Sequence, residues 1–259
     1  MSFFAYRKEK YDIDLDVPIY ADDCTVNDMS VDFYCPNDEC RCIVHLSAIN
    51  SNKVSAHFKN VPSSPHVDGC WADGGTSHTF IKERDVKDFS VDSFLSEVIE
   101  SSSPSSGSQS RKTNNTSTND RKKSSNSNLI KTPRDLFWYC LDHPINVTVG
   151  DKQIKNVICC NRTDFLYSKY ISDTKLIVCS YSSYDSNNSI IRFNYPANSS
   201  NQNRRFRIDV KIDDNIFDSV LKKFYNAQQP IVIFSTWSTV GTIVTGSVIS
   251  NAQIFPLPK

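Results

Sequence analysis

The chain has 259 residues, 39% of them hydrophobic, with nine cysteines, seven glycines, and basic and acidic residues balanced at 29 each. That length accommodates one or two domains. No run approaches the ~18 consecutive apolar residues of a membrane-spanning helix, and so few glycines leave little room for a glycine-rich phosphate loop. The zero net charge is a sum of unlike parts: residues 1–100 carry 9 Lys/Arg against 18 Asp/Glu, residues 101–134 carry 7 against 1, and residues 135–259 carry 13 against 10. An acidic N-terminal part is a poor match for a phosphate backbone, whereas the weakly basic C-terminal half permits such a partner. The opening MSFFAYRKEKYDIDLDV lacks the apolar core of a secretory signal. A reducing, cytoplasmic location is therefore expected, with free or metal-bound cysteines rather than disulfides.

Residues 11–20 alternate Ile13, Leu15, Val17 and Ile19 with Asp12, Asp14, Asp16 and Pro18, the period of a strand with one acidic face. Short strands are expected at Val31–Tyr34 and Ile43–Ser47, with a return strand at Lys53–Phe58. Between and after them lies the one stretch with a specific chemical signature. Four residues separate Cys35 from Cys40, three separate His66 from Cys70, and twenty-five join the pairs. Two short knuckles joined by a hairpin-length insert are the plan of a structural zinc site, because Zn²⁺ accepts any frame that points four nitrogen or sulfur ligands tetrahedrally. Pro36 restricts the first knuckle to a turn, and Gly69 allows tight backbone before the last cysteine. The expected ligands are Cys35, Cys40, His66 and Cys70, with Cys42 and His57 as alternates. A module this small buries little apolar area, so the metal would supply much of its folding free energy.

The run Cys-Pro-Asn-Asp-Glu-Cys, then Ala56-His57-Phe58, then His66-Val67-Asp68-Gly69-Cys70 resembles the N-terminal zinc-finger-like module of bacterial CoiA-type competence proteins. Those proteins carry Cys-Pro-x-x-Cys, His-Phe-Ala-His and a late Cys. Here the first knuckle is longer and Asn60 stands where the second His would be, so His66 would take over as ligand. The resemblance covers about residues 17–72. It implies a bacterial source and a DNA-related context, such as DNA uptake, a mobile element or defence.

Beyond the module, Ser90 is placed to cap a helix, with Phe89 and Phe94 as a hydrophobic staple and Val91, Phe94, Leu95, Val98 and Ile99 on one face. Residues 101–128 contain no large apolar residue and read as a disordered Ser/Asn/Lys-rich linker. The expected organisation is thus a zinc-ribbon-like module with a trailing helix (1–100), the linker (101–128) and a β-rich domain (129–259). In that domain Thr132-Pro133 opens a helix. Strand-like runs follow at Ile145–Val149, Ile154–Cys160, Lys175–Tyr181, Ile190–Tyr195 and Phe206–Ile212. Asp213-Asp214 introduce a helix with Ile216, Phe217, Val220, Leu221 and Phe224 on one face. Three last strands are expected at Ile231–Trp237, Gly241–Thr245 and Ser247–Ile254. Cys140, Cys159, Cys160 and Cys179 lie among apolar neighbours and read as core.

Many strands with one helix before the last of them suit an α+β, mostly β chain ending in a small barrel or curved sheet of the oligonucleotide-binding kind. Such barrels bind single strands with a basic groove and aromatic platforms. Arg192, Arg205, Arg207 and Lys211 are the candidates for the groove, and Tyr181, Tyr184, Tyr195 and Trp237 for stacking. A magnesium-dependent nuclease is the weaker alternative. Asp209-Val210-Lys211 with Asp185 upstream matches its minimal motif, but no glutamate follows Glu100. His143 is the only histidine after His78, which leaves no Ser/His/Asp arrangement. The expected function is therefore that of a non-catalytic, zinc-containing nucleic-acid-binding accessory protein; a protein–protein adaptor is the alternative.

Overall fold

A computed structural model of the chain describes residues 2–7, 17–37, 39–68, 70–73, 80–101, 129–167, 170–197 and 206–257. The acidic half of the 11–20 run, Gly69, the linker from residue 102 to 128 and Arg205 lie outside the described residues.

The N-terminal module is built from short strands. β1 (Phe4–Ala5) pairs antiparallel with β2 (Ile19–Tyr20). β3 (Phe33–Tyr34), β4 (Ile43–Ser47) and β5 (His57–Asn60) form an antiparallel sheet in that order. The expected return strand thus starts later than its sequence suggests, at His57. Isolated bridges Ser2↔Phe58 and Tyr6↔Tyr34 tie the N-terminal segment to this sheet. Phe33 and Phe58, both fully buried with ring centroids 4.8 Å apart, anchor a small core with Val44 and Leu46. Each such side chain contributes roughly 1.5–3 kcal/mol by leaving water.

Helix α1 (Val91–Glu100) begins as its sequence implies: the Ser90 hydroxyl accepts from the Ser93 N–H, and Phe89 meets Phe94 at 5.1 Å between centroids. Its apolar face packs on the C-terminal half. Val91, Phe94, Leu95 and Val98 join one core with residues of the C-terminal half, where Phe94 lies 5.8 Å from Phe234. Helix α2 (Pro133–Asp142) shares that core, opened by a capping box in which Thr132 accepts from the Asp135 N–H and the Asp135 carboxylate accepts from the Thr132 N–H. β6 (Thr148–Val149) and β7 (Lys152–Gln153) make a hairpin. The apolar run at 154–160 is not one strand: its first half is the short helix α3 (Ile154–Val157) and only β8 (Ile158–Cys159) is extended. Ile154 and Val157 are buried while Lys155 and Asn156 between them are not, the spacing of one helical turn, too short to stand out before the apolar stretch Val157–Cys160.

The rest is a closed barrel. β9 (Asp173–Asp185), β10 (Ile190–Tyr195) and β11 (Phe206–Ile212) pair antiparallel in succession. Helix α4 (Phe217–Phe224) follows, then β12 (Ile231–Val240) and β13 (Ile243–Val248). β11 pairs parallel with β13, β13 antiparallel with β12, and β12 antiparallel with β9, which closes five strands into a ring. A five-stranded Greek-key barrel with its helix between the third and fourth strands is the oligonucleotide-binding arrangement. β8 extends the sheet beside β9, and β14 (Ile254–Pro256) beside β12. The last three strands thus have other bounds than their composition suggested: Gly241 lies in the turn, and residues 247–254 split between β13, a 3₁₀ turn and β14. Phe217, Val220 and Phe224 of α4 pack against the barrel interior.

Two kinds of strand build this barrel. In β9 and β12, Ile177, Cys179, Ile231 and Ile233 face inward while Leu176, Val178, Val232 and Phe234 face the helices, so both strands are buried on both sides and read as unbroken apolar runs. β10 and β11 alternate buried and accessible residues because nothing covers their outer face among the described residues. Among the described residues, the outer face of β10 and β11 is therefore open, and it continues onto the accessible positions of β13 beside β11.

Candidate metal centre and candidate nucleic-acid interface

The first knuckle is the turn between β3 and β4. The Cys35 N–H donates to the Cys42 carbonyl at 2.8 Å, and the Cys40 and Arg41 N–H groups both donate to the Asn37 carbonyl. Arg41 turns the chain back in the left-handed region, φ 49°. The second knuckle, after β5, is held by the Cys70 N–H on the Val67 carbonyl at 3.1 Å. Together they bring one ligand atom each from Cys35, Cys40, His66 and Cys70 within 4.8 Å of one another. Cys35 Sγ lies 3.6 Å from Cys70 Sγ, and Cys40 Sγ 3.3 Å from His66 Nδ1. A tetrahedral ion with bonds of about 2.3 Å has ligand–ligand edges of about 3.8 Å, so the spacing fits a metal of that size.

The surroundings are those of thiolate ligands. Asn37 N–H donates to Cys35 Sγ at 3.4 Å, Asn37 Nδ2 to Cys70 Sγ at 3.3 Å, and Val67 N–H to Cys40 Sγ at 3.5 Å. A hydrogen bond from Cys35, together with those from His66 and Asn37, pushes the Cys70 thiol down to about 3. Cys35 is pushed strongly up, first by its hydrogen bond to Cys70 and then by burial. His66 is raised, chiefly by its hydrogen bond to Cys70. A divalent cation among these sulfurs would favour their ionised form. His66 Nε2 is buried without a hydrogen-bond partner and lies 3.8 Å from Asp73 Oδ1. A histidine whose second nitrogen faces a carboxylate is the usual orientation of a metal-bound imidazole.

The two alternates differ. His57 pairs with Ser47 at the end of the β4–β5 hairpin remote from Ile43, and its Nδ1 contacts the Ser55 carbonyl at 2.9 Å. Four residues of strand, about 13 Å, separate it from the knuckle, and it takes no part in the cluster. Cys42 does touch it: its Sγ lies 3.2 Å from His66 Nδ1, and burial with the Cys40 contact raises its thiol to about 12. Asn37 and Asp73 carried no signal in the sequence, because a donor or second-layer carboxylate has no spacing rule to obey.

On the open barrel face, Arg192, Arg207 and Lys211 come together, and each cation is engaged. Arg207 donates through Nε and Nη2 to both oxygens of Asp209 at 2.6 Å. Arg192 Nη2 donates to Asp185 at 3.3 Å, and its Nε lies 4.0 Å from Asp209. Lys211 donates to the Asn188 carbonyl at 2.7 Å and lies 3.5 Å from Asp214. Three basic groups thus face three carboxylates, an offset invisible to a reading that followed Arg and Lys alone. The Asp185 and Asp209 carboxylates of the minimal nuclease motif flank Arg192, so a magnesium ion there would have to displace a guanidinium group. Of the stacking candidates, Tyr195 (1% exposed) and Trp237 (3%) are core residues, Trp237 Nε1 donating to the Lys175 carbonyl. Tyr184 is exposed and, with Tyr181, packs edge-on around Tyr225, at 5.9 and 6.0 Å between centroids.

Comparison of the chain with protein-family models, with curated proteins and with solved structures found no match.

Proposed function

We propose that this protein is a zinc-containing, non-catalytic nucleic-acid-binding protein, with Zn²⁺ held by Cys35, Cys40, His66 and Cys70 as a structural ion and a single strand laid across β10–β11. The observation that carries this reading is the accessible outer face of β10 and β11. These are the second and third strands, the pair that binds oligonucleotides in barrels of this topology, and they bear Arg192, Arg207 and Lys211. Three thiols and an imidazole are a ligand set that suits zinc and closes its coordination, so the ion would supply folding energy rather than chemistry. The CoiA-like knuckle motif supports a bacterial, DNA-linked role. Zinc content follows from elemental analysis of protein purified without added metal. Binding follows from anisotropy of a labelled single-stranded oligonucleotide. Arg207→Glu with Lys211→Glu should weaken it for all sequences alike and flatten log affinity against log salt by roughly 0.7 for each phosphate no longer held. Binding unchanged by the double substitution would remove this face from the reading.

The pairing of each cation with a carboxylate or carbonyl favours a second reading, a protein–protein adaptor, because a neutralised face suits a polar protein partner. Absence of oligonucleotide binding at low salt would select it.

A further inference from the structure

A four-coordinate ion leaves one sulfur of the cluster over. Cys42 Sγ and Cys40 Sγ both lie against His66 Nδ1, at 3.2 and 3.3 Å, which sets the two thiols beside each other. The left-handed turn at Arg41 folds Cys40 back beside Cys42. Of the cluster's four sulfurs, Cys40 alone is half-exposed; Cys35, Cys42 and Cys70 are buried. The cluster therefore combines a ligand sulfur that solvent reaches with a buried thiol, against the same imidazole nitrogen, that the ion does not need.

We propose that Cys40 and Cys42 form an oxidation site that releases the metal, an inference that rests on the zinc reading of the cluster. The oxidant class is a peroxide. The Cys40 thiolate attacks one oxygen of hydrogen peroxide; the O–O bond breaks, hydroxide leaves and is protonated by solvent, and Cys40 becomes a sulfenic acid. The Cys42 sulfur then attacks the Cys40 sulfur; the S–O bond breaks and the hydroxyl leaves with the Cys42 proton as water. The sulfurs lose two electrons, the peroxide gains them, and one disulfide and two waters result. The disulfide sulfur is no longer a thiolate donor, so three ligands remain and the ion dissociates. A reversible bond of this kind fits a reducing compartment, where disulfides are transient and redox-sensing.

The test uses the full chain. Metal content is measured first; protein that carries no zinc overturns the zinc reading and this inference with it. Zinc-loaded protein is then titrated with hydrogen peroxide, with released zinc followed by a chromogenic chelator and disulfides mapped by differential alkylation and mass spectrometry. The expected result is loss of one zinc per chain in step with a Cys40–Cys42 disulfide, restored by dithiothreitol plus zinc. Cys42→Ser should keep its zinc, form no such disulfide and release zinc more slowly at the same peroxide concentration. Cys24→Ser, a half-exposed cysteine outside the cluster, should behave as the parent protein. Zinc loss without a Cys40–Cys42 disulfide, or release from Cys42→Ser at the parent rate, would overturn the oxidation site while leaving the zinc reading standing. Failure of Cys42→Ser to hold zinc would make Cys42 a ligand and would equally overturn it; disulfide mapping of the parent protein decides the matter even if that variant does not fold.

Discussion

The imidazole of His143 lies flat against the ring of Phe80, with centroids 5.0 Å apart and planes 10° from parallel. Tyr139 stacks on the same imidazole at 4.2 Å, and Tyr20 of the N-terminal module stands 5.7 Å away. His143 is 1% exposed, and its Nδ1 donates to the Tyr139 carbonyl at 3.0 Å. Burial, with the nearby Arg162 charge adding to it, pushes its pKa down to about 4 against the opposing Tyr139 hydrogen bond. In the unfolded chain it would titrate near ~6.5. As pH falls through that window the unfolded chain takes up a proton that the folded one refuses. Stability that is complete above ~6.5 is therefore lost progressively down to about 4, about 3 kcal/mol in all. His143→Phe keeps the ring stack and removes the titration. Its denaturant midpoint should change less than the parent's between pH 7 and pH 4.5, metal loss being common to both. Equal slopes would show that His143 titrates normally.

Gly150 and Gly241 both sit at φ 62°. A side chain at Gly150 would run into the Phe89 carbonyl, whereas one at Gly241 would meet nothing within 4 Å. Gly150→Ala must therefore part the β6–β7 hairpin from Phe89, just before the α1 cap, and it should cost several kcal/mol. Gly241→Ala should cost only the left-handed backbone penalty, about 1–2 kcal/mol. Urea unfolding of both variants checks this; similar losses would mean that the hairpin does not press on Phe89.

What could be read in advance followed from period. The bounds of β10 and β11 match the alternation of the sequence residue for residue because their outer faces stay accessible, so apolar and polar positions alternate in Phe206–Ile212. The Ser90 and Thr132 caps were legible because capping needs a short polar side chain at one place. The knuckle spacing pointed to Cys35, Cys40, His66 and Cys70, which the fold brings together. The misses lie where burial is two-sided or partners are remote. Ile154–Val157 reads as strand because its buried positions, Ile154 and Val157, run on into the apolar stretch of β8. Trp237 and Tyr195 read as platforms although the barrel swallows both. The packing of α1 with Phe234 depends on a residue 140 positions away from Phe94. The neutralisation of Arg192 and Arg207 by Asp209 is a contact between facing strands and between alternate residues of one strand, which charge counting by segment averages away.

The metal should matter to the N-terminal module far more than to the barrel. The module's core is small, whereas the C-terminal half is held by two larger clusters of buried residues. Structural zinc sites contribute roughly 10–16 kcal/mol of apparent binding energy, more than so small a core can replace. Chelation, Cys35→Ser or Cys70→Ser should therefore strip hydrogen-exchange protection from the amides of Ile43–Ser47 while leaving that of Ile231–Val240 intact. Retained protection in Ile43–Ser47 after verified metal removal would show that the module folds without the ion.

The carboxylate of Asp209 restrains two of the three cations on the open barrel face, through the paired bonds to Arg207 and the 4.0 Å approach to Arg192. Asp209→Asn keeps the shape of the side chain and removes its charge. The barrel should remain folded, since the residue points outward and Val210 and Ile208 beside it still fill the core. If single strands cross this face, the freed guanidinium groups become available to phosphates. Affinity should then rise rather than fall, and the slope of log affinity against log salt should steepen by roughly 0.7 for each additional phosphate neutralised. Removing a carboxylate also lowers general repulsion, so Asp218→Asn on α4, away from the face, serves as the charge-matched control and should give a smaller rise. Equal rises from the two variants would reduce the effect to net charge. A loss of binding with Asp209→Asn would mean that the carboxylate itself holds the ligand, the behaviour expected of a protein partner or a cation rather than a nucleic acid.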